Sequence, residues 1–270
     1  MLPLQQVAND MGINVLIDHA HQMLFNACWR LPPLLRENGF RAVGSQATLD
    51  QVLPSGSVVR VRIPDAENRL WRPFGWVKAP EFNVVMTDQY APKLAPDQEY
   101  LPEEIEVLKA FVNAGGGLII MGGRVPSAEM VQQWPLNHLA AAFGGSISAT
   151  ATEVFGFSTG ALEFDENWQP YLKGDDGRPV IARRSYGAGR VALVSAFDLL
   201  YPTRDEVPDT DPRSRASVSK RLSEIVHWVA EGKAPVGGEP RLPTEAGGGG
   251  PIYPELEERI GDVVALYAKN

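Results

Sequence analysis

The chain has 270 residues, 44% of them hydrophobic and 21% charged, which is the composition of an ordinary globular protein with enough length for a full core. A formal net charge of -8 with no run of Lys or Arg argues against a phosphate-backbone partner, so no nucleic acid is expected. The single Cys28 rules out an internal disulfide framework and any zinc site built from several thiolates. The first residues lack a secretory pattern and no segment approaches the ~18 consecutive apolar residues of a membrane span, so a soluble chain, cytoplasmic as given, with no membrane partner is expected.

Ile13 to Asp18 is a short continuous apolar run of the kind buried on both faces of a parallel sheet, and Leu24 to Asn38 then predicts a helix stopped by Gly39. Phe40 to Val43 predicts a second strand, Thr48 to Leu53 a brief helix with Thr48 at its N-cap, and Ser57 to Ile63 an alternating strand. Pro64 to Pro80 shows no clear period and is expected to be a long excursion, with Trp71, Phe74 and Trp76 on it. Phe82 to Thr87 predicts the next buried strand. A helix opens at Pro102-Glu103-Glu104 and stops at Gly115-Gly116-Gly117, and Leu118 to Met121 predicts another central strand.

Two short helices, Ala128 to Trp134 and Leu136 to Phe143, precede a switch to strand period over Gly145 to Glu153. Val180 to Tyr186, the turn Gly187-Ala188-Gly189 and Arg190 to Ser195 read as a β-hairpin, and Ser217 to Glu231 as the last helix of the body. Residues 1–232 are thus expected to form one α/β domain, 233–250 a Pro/Gly-rich linker, and 251–270 an amphipathic C-terminal helix able to pack on its own body or join subunits into a homo-oligomer. This order predicts a doubly wound, mostly parallel α/β sheet with a late antiparallel β extension.

Several stretches carry a family resemblance: Leu16-Ile17-Asp18-His19-Ala20-His21, Val84-Val85-Met86-Thr87-Asp88, the helix from Pro102 with Gly115-Gly116-Gly117-Leu118-Ile119-Ile120, and Tyr186-Gly187-Ala188-Gly189-Arg190-Val191. Together they resemble the class I glutamine amidotransferase-like superfamily, in the flavour of its bacterial branches and of related domains attached to carbohydrate-active and transport proteins. The resemblance implies a flavodoxin-like sheet and, in catalytic members, a Cys at the sharp turn after the central strand, paired with a later His. Here the matching stretch is Ile119-Ile120-Met121-Gly122-Gly123-Arg124, without a Cys, and Cys28 falls inside a helix pattern as a small core side chain. Glutamine hydrolysis through a thiolate is therefore not expected.

Half of the four histidines stand at the end of the first strand, in Asp18-His19-Ala20-His21. Ligands of open α/β sheets bind outside the carboxyl ends of the strands, which makes Asp18, His19, His21, Asp88, Tyr90, Gly122, Gly123, Arg124 and Asp198 the candidate binding residues. Arg124 offers a planar fork for a carboxylate or phosphate, and the aromatics offer a platform for sugar rings. Two functions fit. One is a catalytically silent amidotransferase-like domain binding a small molecule, a carbohydrate or a protein partner. The other is a hydrolase in which Asp18, His19 and His21, with Asp88 or Asp198, hold a divalent metal such as zinc that activates water. Plain structural use of the Asp and His residues as caps and turn partners stands beside both. Gly156-Phe157-Ser158-Thr159-Gly160 matches a serine nucleophile elbow, with Asp198 and His227 following in triad order. The strand-like Ala161 to Asp165 replaces the helix that an elbow requires, so a β-turn is expected. His138 is expected to be a partly buried helix residue.

Overall fold

The computed structural model describes residues 11–18, 20–21, 31–32, 34–45, 48–53, 58–65, 70–78, 82–89, 99–123, 128–201 and 207–231. His19, Cys28, Tyr90, Arg124, the linker and the C-terminal tail lie outside the described residues.

A nine-stranded sheet organises the molecule. Its strands are β1 (Asn14–Asp18), β2 (Arg41–Ser45), β3 (Val58–Asp65), β4 (Leu70–Lys78), β5 (Val84–Gln89), β6 (Gly117–Gly122), β9 (Gln169–Lys173), β10 (Pro179–Tyr186) and β11 (Gly189–Val194), in spatial order β4-β3-β2-β1-β5-β6-β11-β10-β9. β7 (Gly145–Val154) and β8 (Phe157–Phe164) form a separate antiparallel pair. The five central strands β2-β1-β5-β6-β11 are parallel, and antiparallel strands extend both edges. Counting only the parallel strands, the order is 2-1-3-4-5, the flavodoxin-like arrangement, whose topological switch point falls between β1 and β5.

Both faces of the sheet are covered because its central strands alternate between two apolar sets. Val15, Ile17, Val84, Met86, Ile119, Met121, Ala192 and Val194 join one core cluster with Leu31, Leu34 and Leu35 and with the buried stripe of the last helix, Arg215–Ala230. Leu16, Val85, Leu118, Ile120, Val191 and Leu193 join the other with Leu108 and Val112 of the helix Pro102–Asn113 and with Leu136 and Leu139 of the helix Pro135–Ala141. β1, β5 and β6 are buried along their whole length, as continuous apolar runs in a two-sided sheet must be.

The excursion expected over Pro64 to Pro80 is instead half of a hairpin, since β4 pairs antiparallel with β3. A register shift between Val61 and Arg62 breaks the regular pairing of the two strands, and Pro73 and Gly75 interrupt the strand signal. A period-two reading fails for that reason. β9, a short and largely exposed edge strand containing Pro170, also lies beyond a periodicity reading. The Gly156–Gly160 motif is no elbow. Phe155 (φ 54°) and Gly156 (φ 75°) make the tight turn between β7 and β8, and Ser158 pairs with Glu153 inside the hairpin. The turn sits one step earlier than the motif, and its first residue bears a left-handed conformation that a phenylalanine adopts at a cost.

Candidate functional site

Asp18 is the last residue of β1, and from there a closed polar chain runs across the switch point on the face that carries the helix Pro102–Asn113. Its carboxylate accepts hydrogen bonds from the Ala20 N–H (2.9 Å, to Oδ1), from the Thr87 hydroxyl (3.0 Å, to Oδ2) and from His21 Nδ1–H (2.9 Å, to Oδ2). The other imidazole nitrogen, Nε2–H, donates to Glu104 Oε2 at 3.1 Å. Tyr100 stacks on the imidazole with ring centroids 4.1 Å apart, and its hydroxyl is hydrogen-bonded to Thr87. Asp18, His21, Thr87, Tyr100 and Glu104 are all buried.

Glu104 belongs to the first turn of its helix and receives two further donors: the Leu101 N–H at its own helix start and, through Oε1, the Leu49 N–H (2.9 Å each). Leu49 opens the helix Leu49–Val52, where Thr48 occupies the N-cap position without a side-chain cap bond. The capping role expected of Thr48 is thus taken by a carboxylate 55 residues away in sequence. An acid in a first helical turn suits the helix dipole, but nothing local in the sequence pairs Glu104 with His21.

The electrostatics follow from this geometry. Burial alone lowers the pKa of an imidazole, but the Asp18 charge and hydrogen bond, followed by those of Glu104, outweigh it and push His21 up to about 10. Burial raises the Asp18 carboxyl, and the His21 charge with the bonds from His21, Ala20 and Thr87 more than reverses it, leaving Asp18 below the ordinary carboxylate value. His21 is accordingly an imidazolium held between two carboxylates. Both of its nitrogens carry protons committed to oxygen, so in this state it has no lone pair for a metal ion. Among the described residues no group of three or more His, Cys, Asp and Glu side chains is arranged to hold one.

Asp88 stands apart from this closed chain. It is level with Met121 of β6, and by strand alternation it projects to the opposite face from Thr87, towards the core cluster of Met86, Met121 and Val194. It is 1% exposed, and both carboxylate oxygens lack a hydrogen-bond partner among the described residues. Burial, reinforced by the Asp18 charge, holds its carboxyl well above the ordinary value. The next residue, Gln89, turns to the other face, where its side-chain carbonyl accepts the Leu136 N–H at 2.9 Å.

The expected site residues therefore separate. Asp18 and His21 meet at the switch point on one face of the sheet, Asp88 projects from the neighbouring β5 to the other face, and Gly122 and Gly123 stand at the end of the adjacent β6. Gly122 is a packing position: a Cβ there would lie 2.4 Å from Ile147 Cδ1 and 2.6 Å from the Ser195 carbonyl. Asp198, half-buried in the turn Phe197–Leu199 after β11, lies three strand positions from β1, roughly 14 Å across the sheet. His227 packs edge-on to Phe40 from the last turn of its helix, and His138, expected to be partly buried, is exposed because it points away from the face that buries Leu136, Asn137, Leu139 and Ala140. Sequence reasoning missed Glu104, Thr87 and Tyr100. Glu104 in the first turn of a helix was visible as a capping acid, but its partner was not.

No family model and no curated protein matches the chain. Among solved structures, a cytoplasmic protein of Salmonella typhimurium is similar at 14% identity over 80% of this chain and 98% of that one, with a TM-score of 0.46. A protein of Thermoplasma acidophilum described as part of a GMP synthase aligns at 8% identity over 80% of this chain and 94% of its own, with a TM-score of 0.36. The exo-β-1,4-mannosidase Op5Man5 of an Opitutaceae bacterium aligns at 16% identity over 80% of this chain and 34% of its own, with a TM-score of 0.37. None superposes closely enough to carry an argument about activity. Among the described residues no helix is long and apolar enough to cross a membrane.

Proposed function

We propose that this chain is an amidotransferase-like α/β domain without a thiol nucleophile that binds a ligand at the carboxyl ends of β1, β5 and β6. The observation that carries the reading is Asp88: a buried carboxyl at the switch point with neither oxygen hydrogen-bonded among the described residues. Burying an unpaired polar group costs on the order of 2–7 kcal/mol, a penalty that a bound partner relieves. Asp18 and His21 support the site from behind by fixing the end of β1 rather than by touching the ligand. The alternative of a metal-dependent hydrolase on Asp18, His19 and His21 has less support, since His21 is already saturated by two carboxylates.

A thermal-shift screen of small polar molecules and of mono- and oligosaccharides, run in parallel on the wild-type chain and on Asp88→Asn, tests the proposal. Compounds that raise the wild-type midpoint and lose that effect in the variant support it. Ligands that stabilise both chains equally, or a screen in which nothing stabilises the wild type, refute it.

A further inference from the structure

The helix Arg215–Ala230 packs over β11, β6 and β5, and the antiparallel strands β10 and β9 lie past its flank. Along the seam between helix and strands, Tyr171 and Leu172 of β9 and Trp228 of the helix are only half-buried, at the rim of the core cluster that the helix seals. The Arg183 guanidinium of β10 stands between two of these rings, 4.5 Å from the Tyr171 centroid and 4.8 Å from that of Trp228. Arg183 is half-buried too, and among the described residues its Nε has no hydrogen-bond partner. The Tyr171 hydroxyl donates to Glu224, which ties β9 to the middle of the helix. The seam thus offers rings, an aliphatic side chain and an oriented cation along one turn of helix.

We infer that residues 251–270 of the same chain pack in this seam as an amphipathic helix, with the stripe Leu256, Ile260, Val263 and Tyr267 on the rings and an acidic flank against Arg183. The place where the chain leaves the body selects this occupant. Arg190 donates to the Trp228 carbonyl (2.8 Å) and to Glu231 (3.0 Å), so the helix ends at the seam and the chain continues from there. A Gly-rich stretch of the length of residues 233–250 spans roughly 20–25 Å, enough to set a following helix down anywhere along the seam. Tethering of this kind gives an effective concentration on the order of mM, so even a weak contact is populated. The charges fit as well: residues 251–270 carry Glu255, Glu257, Glu258 and Asp262 against Arg259 and Lys269. A carboxylate arriving at Arg183 meets a guanidinium already oriented by two rings, and little further side-chain freedom is lost in pairing them.

Amide hydrogen exchange of the full chain, read by mass spectrometry, tests the inference. Residues 251–270 are expected to exchange at least about tenfold more slowly than residues 233–250. The double variant Ile260→Asp/Val263→Asp, which leaves every residue of the seam untouched, should abolish that protection and at the same time speed exchange in β9 and in the last turn of the helix Arg215–Ala230. Arg183→Gln should lower the protection of residues 251–270 by about threefold; the double variant carries the test should Arg183→Gln not fold. Exchange of residues 251–270 as fast as that of 233–250 overturns the inference. Protection whose loss in the double variant leaves β9 and the helix end unchanged overturns it too, by placing the segment elsewhere. Protection that appears only with rising protein concentration, together with a dimeric mass in solution, overturns it in favour of the seam of a second copy.

Discussion

Replacing His21 with alanine removes the only positive charge between two buried carboxylates, and the structure fixes how large the effect is and how it depends on pH. The imidazole stands at about 10 in the folded chain against 6.5 for an ordinary histidine, a difference worth roughly 4–5 kcal/mol at about 1.4 kcal/mol per tenfold. That figure agrees with the roughly 3–5 kcal/mol that breaking a buried ion pair costs. It is one interaction, seen equally in the lowered Asp18 carboxyl, and is not counted twice. Because the folded value lies above the unfolded one, the stabilisation is complete below pH 6.5 and is lost as pH rises towards 10. Urea unfolding of the wild-type chain and His21→Ala at pH 6 and pH 9.5 measures it. The expected gap is about 3–5 kcal/mol at pH 6, shrinking to roughly 1 kcal/mol at pH 9.5. A gap below about 1 kcal/mol at pH 6, or one independent of pH, would refute the imidazolium clamp.

Asp88→Asn is expected to stabilise the unliganded chain at neutral pH, because the raised Asp88 value means the folded state holds its proton more tightly than the unfolded chain, which releases it above pH 3.8. The gain should vanish as the pH is lowered to 3.8 or below, and urea midpoints at pH 3.5 and 7 measure the difference. Tyr100→Phe deletes the hydroxyl bonded to Thr87 while keeping the stack on His21, so a loss of about 1–2 kcal/mol is expected in the same denaturation assay. Gly122→Ala forces a methyl against Ile147 and the Ser195 carbonyl and should cost about 1–3 kcal/mol, visible as a lower thermal midpoint. Metal analysis of the purified chain should find no zinc that is stoichiometric and lost in the His19→Ala/His21→Ala double variant; finding it would restore the hydrolase reading.

The sequence by itself determined the central sheet. Apolar runs such as Val15-Leu16-Ile17 and Leu118-Ile119-Ile120 are uniform because both faces are covered, and the turns at Gly115 to Gly117 and Gly187 to Gly189 break the chain where the strands and helices meet. It also marked Asp18 and Asp88 as strand-end residues, since position relative to a buried strand is a local property. What each of them does was decided only in three dimensions. His21 lies three residues from Asp18 but 83 from Glu104, and the second distance turns a histidine that resembled a metal ligand into a saturated imidazolium. Asp88 differs from Thr87 by one residue, yet the alternation of β5 sends it to the other face, away from every hydrogen-bond partner that the closed chain offers. Periodicity reports which side of an element is buried; partnership between charges depends on which elements the sheet order brings side by side, and that is a property of the packed fold.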